Sequence, residues 1–184
     1  MPITLSGDGT ITGLNASGGI SSAQNIAKAS LPTGSVLQVV STTKTDTFSV
    51  TGQTFTDVTG LSATITPTSA SSKILVMFTT AMSQNNAGYN GGVRLMRGST
   101  PICIGDADGA RPQVSNWSMH YYYWEVSNLT NSFLDSPATT SATTYKLQIM
   151  SGYAGQTVYI NRTYLDDTSY GRYPSTLTVM EIAA

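Results

Sequence analysis

Small hydroxyls dominate this chain: 23 Ser and 28 Thr make 51 of its 184 residues, while Glu occurs twice and Lys four times. Ser and Thr side chains compete with helical backbone hydrogen bonds. The residues that normally fill exposed helix faces are nearly missing. Thr combined with Val, Ile and Tyr fits a pleated surface instead, and 17 Gly with 7 Pro supply the turns. An all-α fold is therefore excluded. Disorder is excluded too, because 40% of the residues are hydrophobic and the net charge is only −1. The composition predicts a single β-rich domain.

The charge pattern removes several classes of partner. The isoelectric point is about 5.6 and Lys and Arg form no cluster, so the chain carries no electrostatic footprint for nucleic acid or an anionic membrane. No apolar run approaches the ~20 residues that a membrane-spanning helix needs. Residues 1–20 show neither a basic region nor an apolar block, so no secretory signal is expected there. Cys103 is the only cysteine and has no internal partner for a disulfide. Synthesis in a cytoplasm is expected.

Along the chain the composition changes once. Residues 1–33 hold Asp8 and Lys28 as their only charges and scatter their apolar positions as Ile3, Leu5, Ile11, Leu14, Ile20 and Ile26. Such an arm buries no core of its own and suits attachment along another protein's surface. Residues 21–29 could form two helical turns before Pro32. From Gly34 onward short strands alternate with turns. Expected strands include Val36–Val40, Thr47–Val50, Thr54–Val58, Leu61–Ile65, Lys73–Met82, Val93–Arg97, Ile102–Ile104, Trp117–Val126, Tyr145–Ile149, Thr157–Ile160 and Leu177–Ile182. This spacing predicts an antiparallel β-sandwich, or jelly roll, over residues 34–184, behind an anchoring arm at 1–33.

Three of these strands are apolar on both faces: Ile74–Phe78, Trp117–Val126 and Leu177–Ile182. A sheet with one solvated face should alternate, so their second face is expected to meet another copy of the chain. Phe78, Tyr122, Trp124, Met180 and Ile182 are the residues expected in the core or the inter-subunit seam. Tyr153, Tyr164, Tyr170 and Tyr173 lie in the loop-rich stretch 151–175, beside Asn, Asp and Arg. They are candidates either for receptor contact or for packing between subunits.

Chemistry finds little to work with. A catalytic triad or a metal site needs clustered His, Cys and carboxylates, whereas the chain has one His, His120, within an aromatic run. That histidine is expected to be a packed residue. Gly105–Gly109 is similar to a calcium loop, but its glycine stands fourth rather than sixth and Trp117 replaces the bidentate Glu, so a surface turn is expected. Asn15, Asn128 and Asn161 head formal glycosylation sequons. A glycosidase would need two carboxylates about 5–10 Å apart. Glu125 with Asp135 or Asp166 is the best pair on offer. No catalytic residue, cofactor or metal ligand is assigned.

Several phrases are shared with a known group. Residues 31–40 (LeuProThrGlySerValLeuGlnValVal), 63–76 (AlaThrIleThrProThrSerAlaSerSerLysIleLeuVal), 93–98 (ValArgLeuMetArgGly), 133–146 and 175–183 resemble the β-rich heads of tail-fibre-like proteins of marine and cyanobacterial bacteriophages. Residues 3–14 resemble the N-terminal segment of the same family. The resemblance implies a non-enzymatic virion surface protein, a homotrimer with a TNF- or C1q-like jelly-roll head. It would be attached to capsid or tail through residues 1–33 and contact a host surface glycan or protein. No heptads and no Gly-X-Y period separate arm from head, so a short spike is expected rather than a long fibre. A capsid decoration protein is the alternative role, and a carbohydrate-degrading tailspike is the enzymatic one.

Overall fold

The computed structural model describes residues 4–5, 11–12 and 31–184, so the helical turns expected at 21–29 lie outside the described residues. The chain divides into two units, residues 1–32 and 33–184. In the first, β1 (Thr4–Leu5) pairs antiparallel with β2 (Ile11–Thr12).

The second unit is an antiparallel sandwich with no helix among the described residues. One sheet holds β3 (Val36–Lys44), β4 (Phe48–Thr51), β6 (Lys73–Gln84), β10 (Val126–Asp135), β12 (Thr157–Ile160) and β13 (Ser175–Ile182). Its centre is β6. Along one side β6 pairs with β10; along the other it pairs first with β13, then with β12. β3 lies outside β13 and β4 outside β12. The other sheet orders β5 (Thr56–Ile65), β11 (Thr143–Ser151) and β7 (Tyr89–Arg97). The far side of β7 is shared by β8 (Thr100–Ile102) and β9 (Asn116–His120).

Alternating burial fixes which residues face inward. Ile74, Val76 and Phe78 of β6, Leu177 and Val179 of β13, and Val158 and Ile160 of β12 meet Leu61, Ala63 and Ile65 of β5. Val93 and Leu95 of β7 and Tyr145, Leu147 and Ile149 of β11 complete the core. Phe78 thus belongs to the core. Truncating a core residue such as Leu147 to Ala would cost about 2–5 kcal/mol.

The hydroxyl-rich composition has a structural use. Ser41 and Thr178, Thr51 and Thr157, and Thr64 and Thr144 are directly opposed across neighbouring strands, their hydroxyls 2.7–2.8 Å apart. Such pairs satisfy side-chain polar groups on a pleated surface without charge.

Polar side chains stitch the sheets at the rims. Asp135 at the end of β10 is buried and accepts from Arg97 Nη1 of β7 (2.8 and 3.0 Å) and from the Tyr145 hydroxyl of β11 (2.7 Å). Burial, with the Asp135 carboxylate beside it, pushes the Tyr145 phenol far above its ordinary value. Asn116 Nδ2 donates to the Thr130 carbonyl and Asn131 Nδ2 to the Ser115 carbonyl, joining β9 to β10. Glu181 is fully buried; Thr68 donates to it from both its backbone N–H and its hydroxyl (2.6 and 2.7 Å), and Gln38 Nε2 at 2.6 Å. Burial raises its pKa, but these donors and Ser72 outweigh it and hold the carboxyl below its ordinary value.

Two strand expectations need correction. Thr54–Val58 and Leu61–Ile65 are parts of one strand, β5, which passes through Gly60 at φ +81°. Trp117–Val126 is not a strand: β9 stops at His120, residues 121–124 turn, and β10 starts at Val126. The reason is Glu125, whose Oε2 accepts from the backbone N–H groups of Tyr121 (2.7 Å) and Tyr122 (3.2 Å), while its own N–H donates to the Tyr122 carbonyl. This side-chain bond folds four β-favouring aromatics into a turn that carries the chain from β9 in one sheet to β10 in the other.

Candidate functional site

Three surfaces stand out, the first on the outer face of the six-stranded sheet. In register across four strands lie Val39 (β3), Met180 (β13), Leu75 (β6) and Leu134 (β10). A bulge in β3 brings Val36 opposite Ile182 beside that row, and Met77 extends it on β6. Val36, Val39 and Leu134 are each more than half exposed. Met180 and Ile182 are half-buried on this outward face. Beyond Met77 the face turns polar, with Ser132, Thr178 and Ser41 in its row.

The second surface is the turn between β9 and β10. Tyr121, Tyr122, Tyr123 and Trp124 are all exposed. The rings of Tyr122 and Trp124 stack 4.7 Å apart at 8°, and Tyr123 meets Trp124 edge-on. Tyr122 and Trp124 were expected in a two-faced strand; they stand instead on a turn, because Glu125 ends the pairing there.

The third is a groove of about 600 Å³ on the outer face of the five-stranded sheet. Met150 of β11, Gly92 of β7 and Trp117 of β9 are directly opposed across three strands, and Met150 and Trp117 line the groove. Gly92 makes room for the indole: a Cβ there would lie 2.6 Å from the Trp117 ring and 2.9 Å from Val114. The ring edge at Cε3 and Cζ3 therefore packs against a backbone that carries no side chain. Gln53 and Phe55 form one wall and Ala110 and Pro112 another, with Asn90, Gly152 and Tyr153 at the end. At Gly152 a Cβ would meet Asn90 Oδ1 at 1.7 Å, so any side chain there would displace the Asn90 carboxamide. Gln53 Nε2 donates to the Gly152 carbonyl (2.9 Å), and Tyr153 is braced edge-on by Tyr89 at 4.7 Å.

The charges around this groove are already engaged. The Arg94 guanidinium stacks 3.8 Å from the Phe55 ring and donates to Gln148 Oε1 at 2.8 Å. Lys146 and Gln148 both donate to Asp57, and the Lys146 bond leads in holding that carboxyl below its ordinary value. Arg111 pairs with Asp108 within the loop expected to be a surface turn. No residue lining the groove is charged.

The four candidate tyrosines separate. Tyr153 lines the groove, whereas Tyr164, Tyr170 and Tyr173 follow β12. Tyr164 is exposed 6.0 Å from Tyr159 of the other sheet, and Tyr170 and Tyr173 are half-buried. Phe55 and Trp117 were not singled out from the sequence as binding residues. Only Gly91-Gly92, set inside an otherwise β-favouring run, hinted at a hollow beside them.

The carboxylate pair Glu125 and Asp135 is not a catalytic pair. The two flank opposite ends of β10, about 33 Å apart along an extended strand. Asp135 is also consumed by Arg97 and Tyr145. His120 is fully buried, with Nε2 3.0 Å from the Met82 carbonyl; burial pushes its pKa below the ordinary imidazole value, partly offset by that bond and by Glu125. Burial raises the Cys103 thiol. No cluster of three or more His, Cys, Asp and Glu suited to a metal occurs among the described residues. The Asn161 sequon is closed, because that side chain is buried and fully hydrogen-bonded.

No family model matches the chain, and no curated protein does. Among solved structures it is similar to a chain of the infectious bursal disease virus Gx strain, at 15% identity and a TM-score of 0.42 over 80% of this chain. A mutant VP2 protein of the same virus, in T=1 particles, gives 18% and 0.40 over 80%. The tripod from the baseplate of bacteriophage Tuc2009 gives 13% and 0.24 over 100% of this chain and 84% of that one. The chain spans just over a third, 36%, of the two bursal disease virus chains.

Proposed function

We propose that this protein is a non-enzymatic structural component of a bacteriophage virion: a short trimeric spike, held to the particle through residues 1–33, with the sandwich turned toward the host. The observation that carries the reading is the apolar row Val39–Met180–Leu75–Leu134 on the outer face of a sheet. Contiguous exposed apolar area of this kind marks a protein–protein interface. Its lateral run across four strands, hydroxyl-bearing on one flank, suits a heterologous contact with a different face of the next copy, repeated three times to close a ring. The resemblance of residues 31–40, 63–76 and 175–183 to tail-fibre-like heads agrees with this, as does the charge-poor arm.

Two measurements test it. Light scattering on the purified full chain should give three times 19.4 kDa, and a monomer would refute the assembly. A whole-particle reconstruction should then place the sandwich at the tail, distal to residues 1–33. Density between capsomers would instead assign the decoration role.

A further inference from the structure

The geometry points to a second role for the sandwich: the groove lined by Met150, Trp117, Phe55 and Tyr153 is a binding site for a neutral, polyhydroxylated ligand, one or two pyranose units of a glycan. Its volume, about 600 Å³, falls within the roughly 300–1,000 Å³ of small-molecule sites. The ligand class follows from what the lining offers. Three aromatic rings line it: the Trp117 indole, packed against Gly92, with Phe55 and Tyr153. The negative face of such rings attracts the slightly positive C–H face of a pyranose, and the ring covers apolar area without a charge.

The polar groups are amides rather than ions. Gln53 spends its Nε2 on the Gly152 carbonyl and retains Oε1 as an acceptor; Asn90 adds a second carboxamide, able both to donate and to accept. Hydroxyls need this mixture. An anion would need a cation, but none lines the groove: Arg94 is stacked on Phe55, and Arg111 is paired with Asp108. A cationic ligand would need a carboxylate, and the nearby Asp57 is held by Lys146 and Gln148. The site is also pre-formed. Trp117 packs against Gly92, the Asn90 carboxamide occupies the space a Cβ at Gly152 would need, and Tyr89 braces Tyr153, so little conformational freedom is lost on binding.

The test uses the full chain and neutral trisaccharides of glucose, galactose, mannose and N-acetylglucosamine. A glucuronate trisaccharide and phosphocholine serve as charged probes. Binding is read by saturation-transfer NMR and by Trp117 fluorescence in a Trp124→Phe background, where Trp117 is the only remaining indole. At least one neutral trisaccharide should bind, and Tyr153→Ala should weaken it about tenfold, the order of one aromatic stack. Gln53→Ala, in an exposed loop, should weaken the same probe, while Trp124→Ala in the turn between β9 and β10 should leave it unchanged. The inference is overturned if no neutral trisaccharide binds, if a charged probe binds in preference, or if both Tyr153→Ala and Gln53→Ala bind as well as the unaltered protein. Loss of binding on Trp124→Ala would also overturn it, by moving the site to that turn. Oligomeric state is measured on the same samples, so an intact trimer without sugar binding would fail this inference and leave the assembly role standing.

Discussion

Asn161 offers the sharpest quantitative test of how the sandwich closes on itself. It follows β12, is fully buried, and holds φ +65°, a conformation that costs an ordinary L-residue about 1–2 kcal/mol. Its Nδ2 donates to the carbonyls of Lys44 (2.8 Å) and Asp46 (3.0 Å), and its Oδ1 accepts from the Ser175 hydroxyl at 2.6 Å. One side chain thus joins the ends of β3, β12 and β13. At about 1 kcal/mol net per bond, Asn161→Gly should cost roughly 3 kcal/mol, because glycine tolerates the backbone and loses only the bonds. Asn161→Ala should cost roughly 4 kcal/mol, adding the left-handed strain. For a chain of this length that lowers the thermal midpoint by about 8–16 °C. Asn161→Asp should be worst at neutral pH, since it sets a buried carboxylate against two carbonyls, and should recover as acid protonates it. Guanidinium unfolding at fixed protomer concentration supplies the measurement. An Asn161→Ala protein within 1 kcal/mol of the parent would show that this junction is not closed by the amide.

Three other outcomes follow from the same structure. Leu134→Glu or Met180→Glu should dissociate the oligomer while sheet content by circular dichroism stays intact, because each sets a charge in the apolar row; light scattering decides. The Glu181 carboxyl is depressed on folding, so its contribution is present above the ordinary carboxylate value and disappears as pH falls through the folded value. Glu181→Gln should therefore cost about 1–3 kcal/mol at pH 7 and flatten the acid limb of the stability curve. Deleting residues 1–30 should leave a folded trimer with a nearly unchanged thermal midpoint that no longer attaches to particles; monomers or aggregates would make the arm an inter-subunit clasp instead.

Most strands could be read from the chain because Leu61–Ile65, Tyr145–Ile149 and Thr157–Ile160 alternate with period two, and their inward residues are those the alternation selects. The turn between β9 and β10 escaped because Tyr121 to Trp124 have strong β propensity, and it depends on a carboxylate reaching back three and four residues. The outward row at Leu75, Met180 and Ile182 was legible as a two-faced pattern. Val39 and Leu134 joined it only through register across four strands. Nor could the groove be foreseen. Phe55, Met150, Gly92 and Trp117 come from four separated segments, and their meeting depends on pairing order rather than on local spacing.

The position of β13 bears on when the sandwich can close. Residues 175–182 fill the space between β3 and β6, with Val179 opposite Val40 on one side and Val76 on the other. Until that segment has been synthesised, the β3 edge and part of the β6 edge stand open and the core lacks Leu177 and Val179. At about 5–20 residues per second, some 7–28 s separate completion of β3 from completion of β13. Throughout that interval the nascent chain is vulnerable to pairing with the wrong edge, and long-range closure then follows at the slow rates of high contact order. The delay also imposes an order of events. Met180 stands in the middle of the apolar row, so the row becomes continuous only once β13 has paired. A chain interrupted before residue 175 keeps Leu75 beside Leu134 but lacks Met180 and Ile182, and incomplete copies are thereby disfavoured in any assembly built on the whole row.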